Sequence, residues 1–261
     1  MFEFIYRFSP TEVAAYYAAV SVITVLIFFV VIKKVFSVST ISETDEGVVT
    51  TTLTGMFTLG CIVLGFSLAS ALANRDKADQ DMMIEALSIE NLAGSLQRMG
   101  SAESLVALKN LVAYTSSIVQ DEMPLLVKNK LNPKTTELFF SIDRNIDLIE
   151  LKTVRESQIY AQILKEVNAV RQARYSRLLN AQVSLPPLFI IANNFCLLLI
   201  SLLSACLILI HYSRTRVVVV LIQNFMIWMF FAAILMIDRP ITGIAPISID
   251  PLEAVERALN R

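Results

Sequence analysis

Charge avoids four stretches of this chain completely. Val13 to Ile32, Leu53 to Ala73, Pro187 to Ile210 and Val217 to Ile237 contain no Asp, Glu, Lys or Arg. Each runs about 20 residues or longer, enough for a helix to cross a hydrocarbon core about 30 Å thick. A single charge at the centre of such a helix costs about 2.5 to 3.5 kcal/mol on the insertion scale. Four uninterrupted absences therefore describe an integral membrane protein. The stretches pair as two hairpins, with a long charged segment between them. The expected fold is all-α, with four transmembrane helices in two hairpins and a helical extramembrane domain between helices 2 and 3. Residues 1–74 form the first hairpin in this reading, 75–184 the extramembrane domain, 185–237 the second hairpin, and 238–261 a tail with a short helix.

Charges mark the ends of the stretches. Lys33 and Lys34 close the first, Asn74-Arg75-Asp76-Lys77 the second, and Asp238-Arg239-Pro240 the fourth, while Arg214 and Arg216 separate the third from the fourth. Arg7, Arg75, Lys77, Arg171, Arg174, Arg177 and Arg239 outnumber the cations of the two short loops, which favours cytoplasmic termini and a cytoplasmic domain. The first stretch is longer than the core of a secretory signal and has no small-residue cleavage pattern, so it is expected to remain as a helix.

Of the 22 basic and 23 acidic residues, 14 of each sign lie between Arg75 and Arg177. A balanced segment has no basic face to hold nucleic acid. It contains no cysteine, because Cys61, Cys196 and Cys206 all fall within the apolar stretches, which excludes a disulfide framework there and suits a reducing compartment. Its apolar residues recur with helical spacing, as in Leu92, Leu96 and Met99, then Leu105, Leu108, Val112 and Val119. Gly100 is expected to stop one helix and Ser101 to cap the next. Asn132-Pro133 supplies a cap followed by proline at the first helical position, and the stripe Leu138, Ile142, Ile146, Ile149 follows. Ile159, Ile163, Val167 and Val170 continue the pattern. With no Gly or Pro from Lys134 to Ser184, one long helix is expected to run to a break at Leu185-Pro186-Pro187.

Enzyme signatures are missing. There is no glycine-rich phosphate loop, no paired CxxC and no His-Glu zinc motif, and the single histidine, His211, reads as an interfacial residue at the end of a span. No catalytic residue, cofactor or metal ligand is expected. Asp121-Glu122 before Met123-Pro124 reads as a helix-end cap rather than a metal site, which would need further converging oxygens. Ionisable groups are absent from all four spans, which argues against a proton-driven carrier. Asn193, Asn194, Gln223 and Asn224 read as amides that link helices by hydrogen bonds. The second span differs from the others, because Thr51, Thr54, Thr58, Cys61 and Gly65 share one small, weakly polar face. Such a face serves either close helix packing or a water-filled ion pathway.

Three segments resemble a bacterial membrane-protein family called bestrophin-like, also labelled the domain of unknown function DUF4239. The run Ile237-Asp238-Arg239-Pro240-Ile241-Thr242-Gly243, with Pro246, Ser248 and the short helix Pro251 to Leu259, resembles the family's Asp-Arg-Pro-Phe-x-Gly tail. Arg171, Arg174 and Arg177 leading into Leu185-Pro186-Pro187-Leu188 resemble its basic helix before the third span. Tyr114 with Asp121-Glu122-Met123-Pro124 resembles its Tyr and Asp-Glu-Trp-Pro segment. Ile241 stands where the family has Phe, and Met123 where it has Trp. The resemblance implies a subunit of a homo-oligomer in the bacterial inner membrane, a pentamer by likeness to bestrophins, passing small inorganic ions, anions in particular, through a pore lined by the second helix. The alternative function is a non-conducting scaffold or sensor whose helical domain binds a protein partner. An aromatic pore neck and an acidic calcium clasp, both features of bestrophins, have no counterpart here. In the tail, Asp238, Arg239, Pro240 and Gly243 are expected to fix the exit of the fourth helix or to gate.

Overall fold

In the computed structural model the described residues are 8–35, 43–126, 130–181, 183–210, 212–241 and 243–260. Arg7, His211 and Thr242 lie outside them. The regular structure of the described residues is helical, with no strand among them. The helices are α1 (Pro10–Val35), α2 (Glu43–Met99), α3 (Ala102–Ser117), a π-helical turn (Ile118–Glu122), α4 (Met123–Leu126), α5 (Pro133–Asp147), α6 (Val154–Asn180), α7 (Pro187–Ile210), α8 (Arg214–Ile237) and α9 (Asp250–Leu259). Four of them, α1, α2, α7 and α8, are long and apolar enough to cross a membrane. The chain divides into two compact units, one of residues 1–73 and 184–238, the other of 74–183 and 239–261.

The first unit holds the spans. Ser9 and Glu12 open α1 reciprocally, since the Ser9 N–H donates to the Glu12 carboxylate at 2.7 Å and the Glu12 N–H donates to Ser9 Oγ at 3.3 Å, a capping box with proline next to it. Tyr17 of α1 stacks on Trp228 of α8 at 6.0 Å and meets Phe231 edge-on at 5.7 Å. Higher along α1, Val25 and Ile32 pack with Ala205, Ile208 and Val220. Two of the four amides, Asn193 and Asn224, link helices here, whereas Asn194 donates to the Ile190 carbonyl of its own helix at 2.8 Å. Asn224 Nδ2 donates to the Ser21 carbonyl of α1 at 2.8 Å, while its Oδ1 accepts from Ser201 of α7 at 2.9 Å. Asn193 donates to Ser67 of α2 at 2.7 Å, each such bond contributing on the order of 0.6 kcal/mol in a membrane.

The buried face of α2 in this unit comprises Leu53, Gly60, Leu64, Ser67 and Ala71. Gly60 is the close-approach position, because a Cβ there would stand 2.9 Å from Ile200 Cδ1 of α7. Glu46 near the start of α2 pairs with Arg216 in the first turn of α8 at 2.9 Å, offsetting a cation where the helix dipole disfavours one. At the other end of α8, Asp238 Oδ1 accepts the Leu185 N–H at 2.8 Å, which ties the entry of α7 to the exit of α8.

In the second unit, Gly100 takes a left-handed φ of +67° and Ser101 caps α3 by accepting from the Ser104 N–H, as the sequence leads one to expect. Asn132 caps α5 ahead of Pro133. Two expectations are corrected. The single long helix after Lys134 is two, because Thr153 and Glu156 form a capping box that starts α6 afresh, a Thr-x-x-Glu signal present in the sequence. The stripe Leu105, Leu108, Val112, Val119 holds only in part. Leu108 and Val119 pack against the core from its edge and Leu105 is exposed, while the centre of the packed face is Ser104, Ala107, Leu111, Tyr114 and Ile118.

The tail belongs to this unit. Arg239 has a φ of +59°, uncommon for a residue with a Cβ, and its carbonyl accepts the Gly243 N–H at 2.8 Å while that of Pro240 accepts from Ile247. Arg75 of α2 donates to the Ala245 carbonyl at 2.6 Å. Ile241 fills its position at 2% exposure, and α9 packs Leu252 and Val255 into the common core.

Replacing Gly60 by leucine inserts a side chain where Ile200 already stands, an overpacking that costs about 1–3 kcal/mol. Gly55→Leu, which enters open space, should cost far less. Thermal unfolding of the detergent-solubilised variants checks the difference, and equal losses would contradict this packing of α2.

Candidate functional site

Two features stand out, a small-residue face on α2 and a buried ionic cluster in the second unit. On the first, Thr51, Thr54, Thr58, Cys61 and Gly65 are all exposed. They lie on the side of α2 away from Leu53, Gly60, Leu64, Ser67 and Ala71. A Cβ on Gly65 would meet nothing within 4 Å. Close helix packing within the chain is thus the role of Gly60, which sequence reasoning passed over, while the threonine face is unpaired by its own chain. The hydroxyls of Thr54 and Thr58 each donate to the carbonyl four residues earlier, Thr50 and Thr54, at 2.9 Å. Their single protons are committed, so what faces outward is a methyl group and oxygen lone pairs. Cys61 is a free, exposed thiol, whereas Cys196 and Cys206 are half-buried.

The ionic cluster centres on Arg177, which is fully buried. Its Nε donates to Glu85 Oε2 at 2.5 Å and its Nη2 to Glu122 Oε2 at 2.6 Å and Glu85 Oε1 at 3.3 Å. Nη1 reaches Met123 Sδ at 3.6 Å. Arg174, one turn earlier on α6, donates to Glu122 Oε1 at 2.8 Å and Thr136 Oγ1 at 2.9 Å, and its guanidinium lies 5.7 Å over the Tyr114 ring. The Tyr114 hydroxyl donates to Glu85 Oε1 at 3.2 Å. Asn180 donates to Asp81 one turn further along both helices. Two guanidinium groups thus face two carboxylates, and the cluster is neutral.

Burial alone opposes a charged Arg177, but the carboxylates of Glu85 and Glu122 outweigh it and hold the guanidinium above the ordinary arginine value. Burial, reinforced by the charge of Glu85 and opposed by Arg177 and Arg174, pushes the Tyr114 hydroxyl well above the usual tyrosine range. It stays a neutral donor.

The helix-end cap expected of Asp121-Glu122 is corrected here. Glu122 is the shared acceptor of both arginines, and Asp121 pairs with Lys134 at 3.0 Å on the surface. The π-helical turn explains how the two diverge. Eight residues of regular helix would leave Glu122 about 80° around from Tyr114. The wider turn, in which Met123 N–H donates to the Ile118 carbonyl, brings Glu122 back to the Tyr114 face. Glu85 gave a signal in the sequence, since it falls in phase with the buried stripe Ala78, Met82 and Ile89, where a carboxylate requires a partner. Among the described residues no group of side chains could hold a metal ion.

The tail residues are not part of either feature. Asp238 accepts from Leu185 within the first unit, and Pro240 and Gly243 shape the turn already described.

A family model described as a bestrophin-like domain matches residues 19–252. Comparison with curated proteins gives no match. Among solved structures, a single-substitution variant of a bacterial bestrophin homologue from Klebsiella pneumoniae is similar over 97% of this chain and 97% of that chain, with 12% identity and a TM-score of 0.73. The same homologue in another crystal structure gives 13% identity, 94% and 96% coverage and a TM-score of 0.69. A structure described only as a membrane protein variant gives 11%, 94%, 97% and 0.70. These identities speak to the fold alone.

Glu122→Gln leaves two buried guanidinium groups short of one negative charge, and its expected cost is about 3–5 kcal/mol, seen as a large fall in unfolding temperature or in yield of folded protein. Tyr114 gives a pH signature. Its hydroxyl titrates higher in the folded state than the ordinary value of 10.0, so the folded state retains a proton that the unfolded state loses. The stabilisation is complete below about pH 10 and declines above it. Unfolding midpoints measured from neutral to strongly alkaline pH should fall less steeply above about pH 10 in Tyr114→Phe than in the unaltered protein.

Proposed function

Because the chain belongs to the bestrophin-like family, we propose that it is a subunit of a homo-oligomeric ion channel, with the α2 helices of its copies around a common axis. The face bearing Thr51, Thr54, Thr58, Cys61 and Gly65 turns toward that axis. The observation that supports this most directly is that these five residues are exposed together on one flank of α2, about a third of a turn from its packed side. Between charged ends, α2 carries no Asp, Glu, Lys or Arg from Gly47 to Asn74, so selectivity rests on dipoles and pore width rather than on a charged ring. The ring has five members, as the resemblance to bestrophins implies, and the chain's partners are the lipid bilayer, its own copies and small inorganic ions. It works in the bacterial inner membrane with its termini and second unit in the cytoplasm.

Anions are the ions implied by that resemblance. A second reading, cations, is favoured by one observation, the commitment of the Thr54 and Thr58 hydroxyl protons to backbone carbonyls. Oxygen lone pairs facing a pore stabilise a cation and offer an anion no donor. Reversal potentials under a salt gradient across a planar bilayer separate the two.

The native Cys61 supplies the test. Ion flux from liposomes loaded with purified protein should fall several-fold when a charged, membrane-impermeant methanethiosulfonate is added, and Cys61→Ala should conduct normally and resist the reagent. Thr58→Phe narrows the same face with an apolar ring and should reduce flux about tenfold or more. Absence of flux above empty vesicles under any halide or cation gradient removes the channel reading. Full block of Cys61→Ala moves the pathway away from this face.

A further inference from the structure

Two apolar patches of the second unit are left uncovered by their own chain. On α2, Met83, Ile84 and Leu87 are each more than half exposed, on the side away from the buried Met82, Glu85 and Ile89. On α6, Tyr175 and Leu179 are exposed more strongly still, away from the buried Arg174, Arg177 and Asn180. Phe140 of α5, also more than half exposed, lines a groove with Tyr175 and extends that patch. Apolar surface gathered in this way on a charged, water-facing unit marks a place of contact.

The buried pairs fix the level of one patch against the other. Glu85 meets Arg177 and Asp81 meets Asn180, so α2 and α6 run antiparallel, and each step down one matches a step up the other. Counted from these contacts, Met83 lies level with Leu179, Leu87 with Tyr175, and Glu90 with Arg171 to within one residue, a rise of about 1.5 Å. The order is the same on both helices: apolar, apolar, charged.

Charge selects the occupant. Asp76, Asp79 and Glu90 are exposed around the α2 patch, with Lys77 the one exposed cation between Asp76 and Glu90. From Ser157 to Asn180, α6 has a single acid, Glu166, and it is buried. Arg171 keeps 41% of its side chain exposed although it pairs with Asp143. Two copies joined through α2 alone would set acid against acid, and an anionic lipid surface suits that face equally poorly. The α2 patch of one copy against the α6 patch of another joins apolar to apolar and Glu90 to Arg171. A head-to-tail contact of this kind closes into a ring when rotation alone relates the copies. Rotation leaves height along the axis unchanged, so two patches at one level meet without the shift that would open the ring into a filament.

We propose that Met83, Ile84 and Leu87 of one copy pack on Tyr175, Leu179 and Phe140 of the next, with Glu90 reaching Arg171 across the contact. The inference rests on the homo-oligomeric reading above and names the surfaces of the second unit that build it.

Cross-linking tests the contact on the full chain in detergent, with its three native cysteines replaced by alanine. Leu87→Cys together with Tyr175→Cys, oxidised by copper phenanthroline, should give a ladder of linked copies that ends at the ring, while either cysteine alone should leave the monomer band. Leu87→Glu in the otherwise unaltered chain, at a position outside the packed core, should keep the helical circular-dichroism signal and raise the protein concentration needed for half-assembly about tenfold or more. Native mass spectrometry of the unaltered protein separates this contact from the reading it rests on. An assembled particle in which the paired cysteines stay unlinked overturns the contact and leaves the oligomer standing, as does assembly that Leu87→Glu does not weaken. Linkage through either single cysteine means that like faces join, and overturns it as well. A monomer overturns the contact and the homo-oligomeric channel together.

Discussion

A single guanidinium without solvent exposure sets the terms for the second unit. Taking Arg177 out of water costs several kcal/mol, as does taking out each of Glu85 and Glu122, and the arrangement holds only because every charge meets its complement at hydrogen-bonding distance. That requirement fixes more than one pair. Glu85 fixes the rotation of α2, Arg174 and Arg177 fix that of α6, and Glu122 demands an extra residue per turn in the helix that carries it. Asn180 with Asp81 repeats the contact a turn away, so α2 and α6 share one register rather than a range of sliding positions. Apolar packing by Met82, Ile89, Leu92, Ile163 and Val170 supplies most of the burial, but aliphatic faces slide against each other at small cost. The charges specify which of those packings is adopted.

How much of this can be read from the sequence depends on which physical rule dominates locally. The four spans are legible because the cost of charge in hydrocarbon is large compared with any competing preference. Caps at Ser101 and Asn132 are legible because their side chains act on backbone groups two or three residues away. The interruption between α5 and α6 was present as Thr153 and Glu156, yet the absence of Gly and Pro masks it, since a capping box restarts a helix without a breaker. Aliphatic periodicity finds only the edge of the buried face of α3, at Leu108 and Val119. There the buried face is chosen by Tyr114, whose partner Glu85 lies 29 residues away, and no local rule connects them. Glu122 fails for a related reason, because a π-helical turn changes the phase that any fixed period assumes.

The departures from the family's tail and middle segments become intelligible in the same terms. Ile241 is buried in the common core where a larger ring is usual, and Met123 brings a polarizable sulfur to Arg177 Nη1 where an indole would bring a donor of its own. A methionine at that place satisfies a guanidinium proton that a tryptophan would not. Changes of this kind preserve the neutrality of the cluster while altering its volume, which is the quantity a packed interior tolerates least.

The membrane unit follows the opposite logic. Its buried polar residues face inward, and Asn224 with Ser201 and the Ser21 carbonyl, and the Asn193 amide N–H with Ser67, pair across helices. Thr54 and Thr58 of α2 bond back along their own helix as those serines also do, but they face outward and do so without an unmet donor. That device makes the face neutral toward lipid, yet a helix needing only lipid compatibility would do better with leucine there. A face of small residues with outward oxygens is of use where backbone approach or contact with water is required. Gly60 already serves the approach within the chain, and the small-residue flank of α2 has no such neighbour. Leu59, Ile62 and Phe66, exposed and apolar, occupy the remaining side, so α2 has one packed flank, one apolar flank and one small, weakly polar flank, and the pore proposed for it would use only the last.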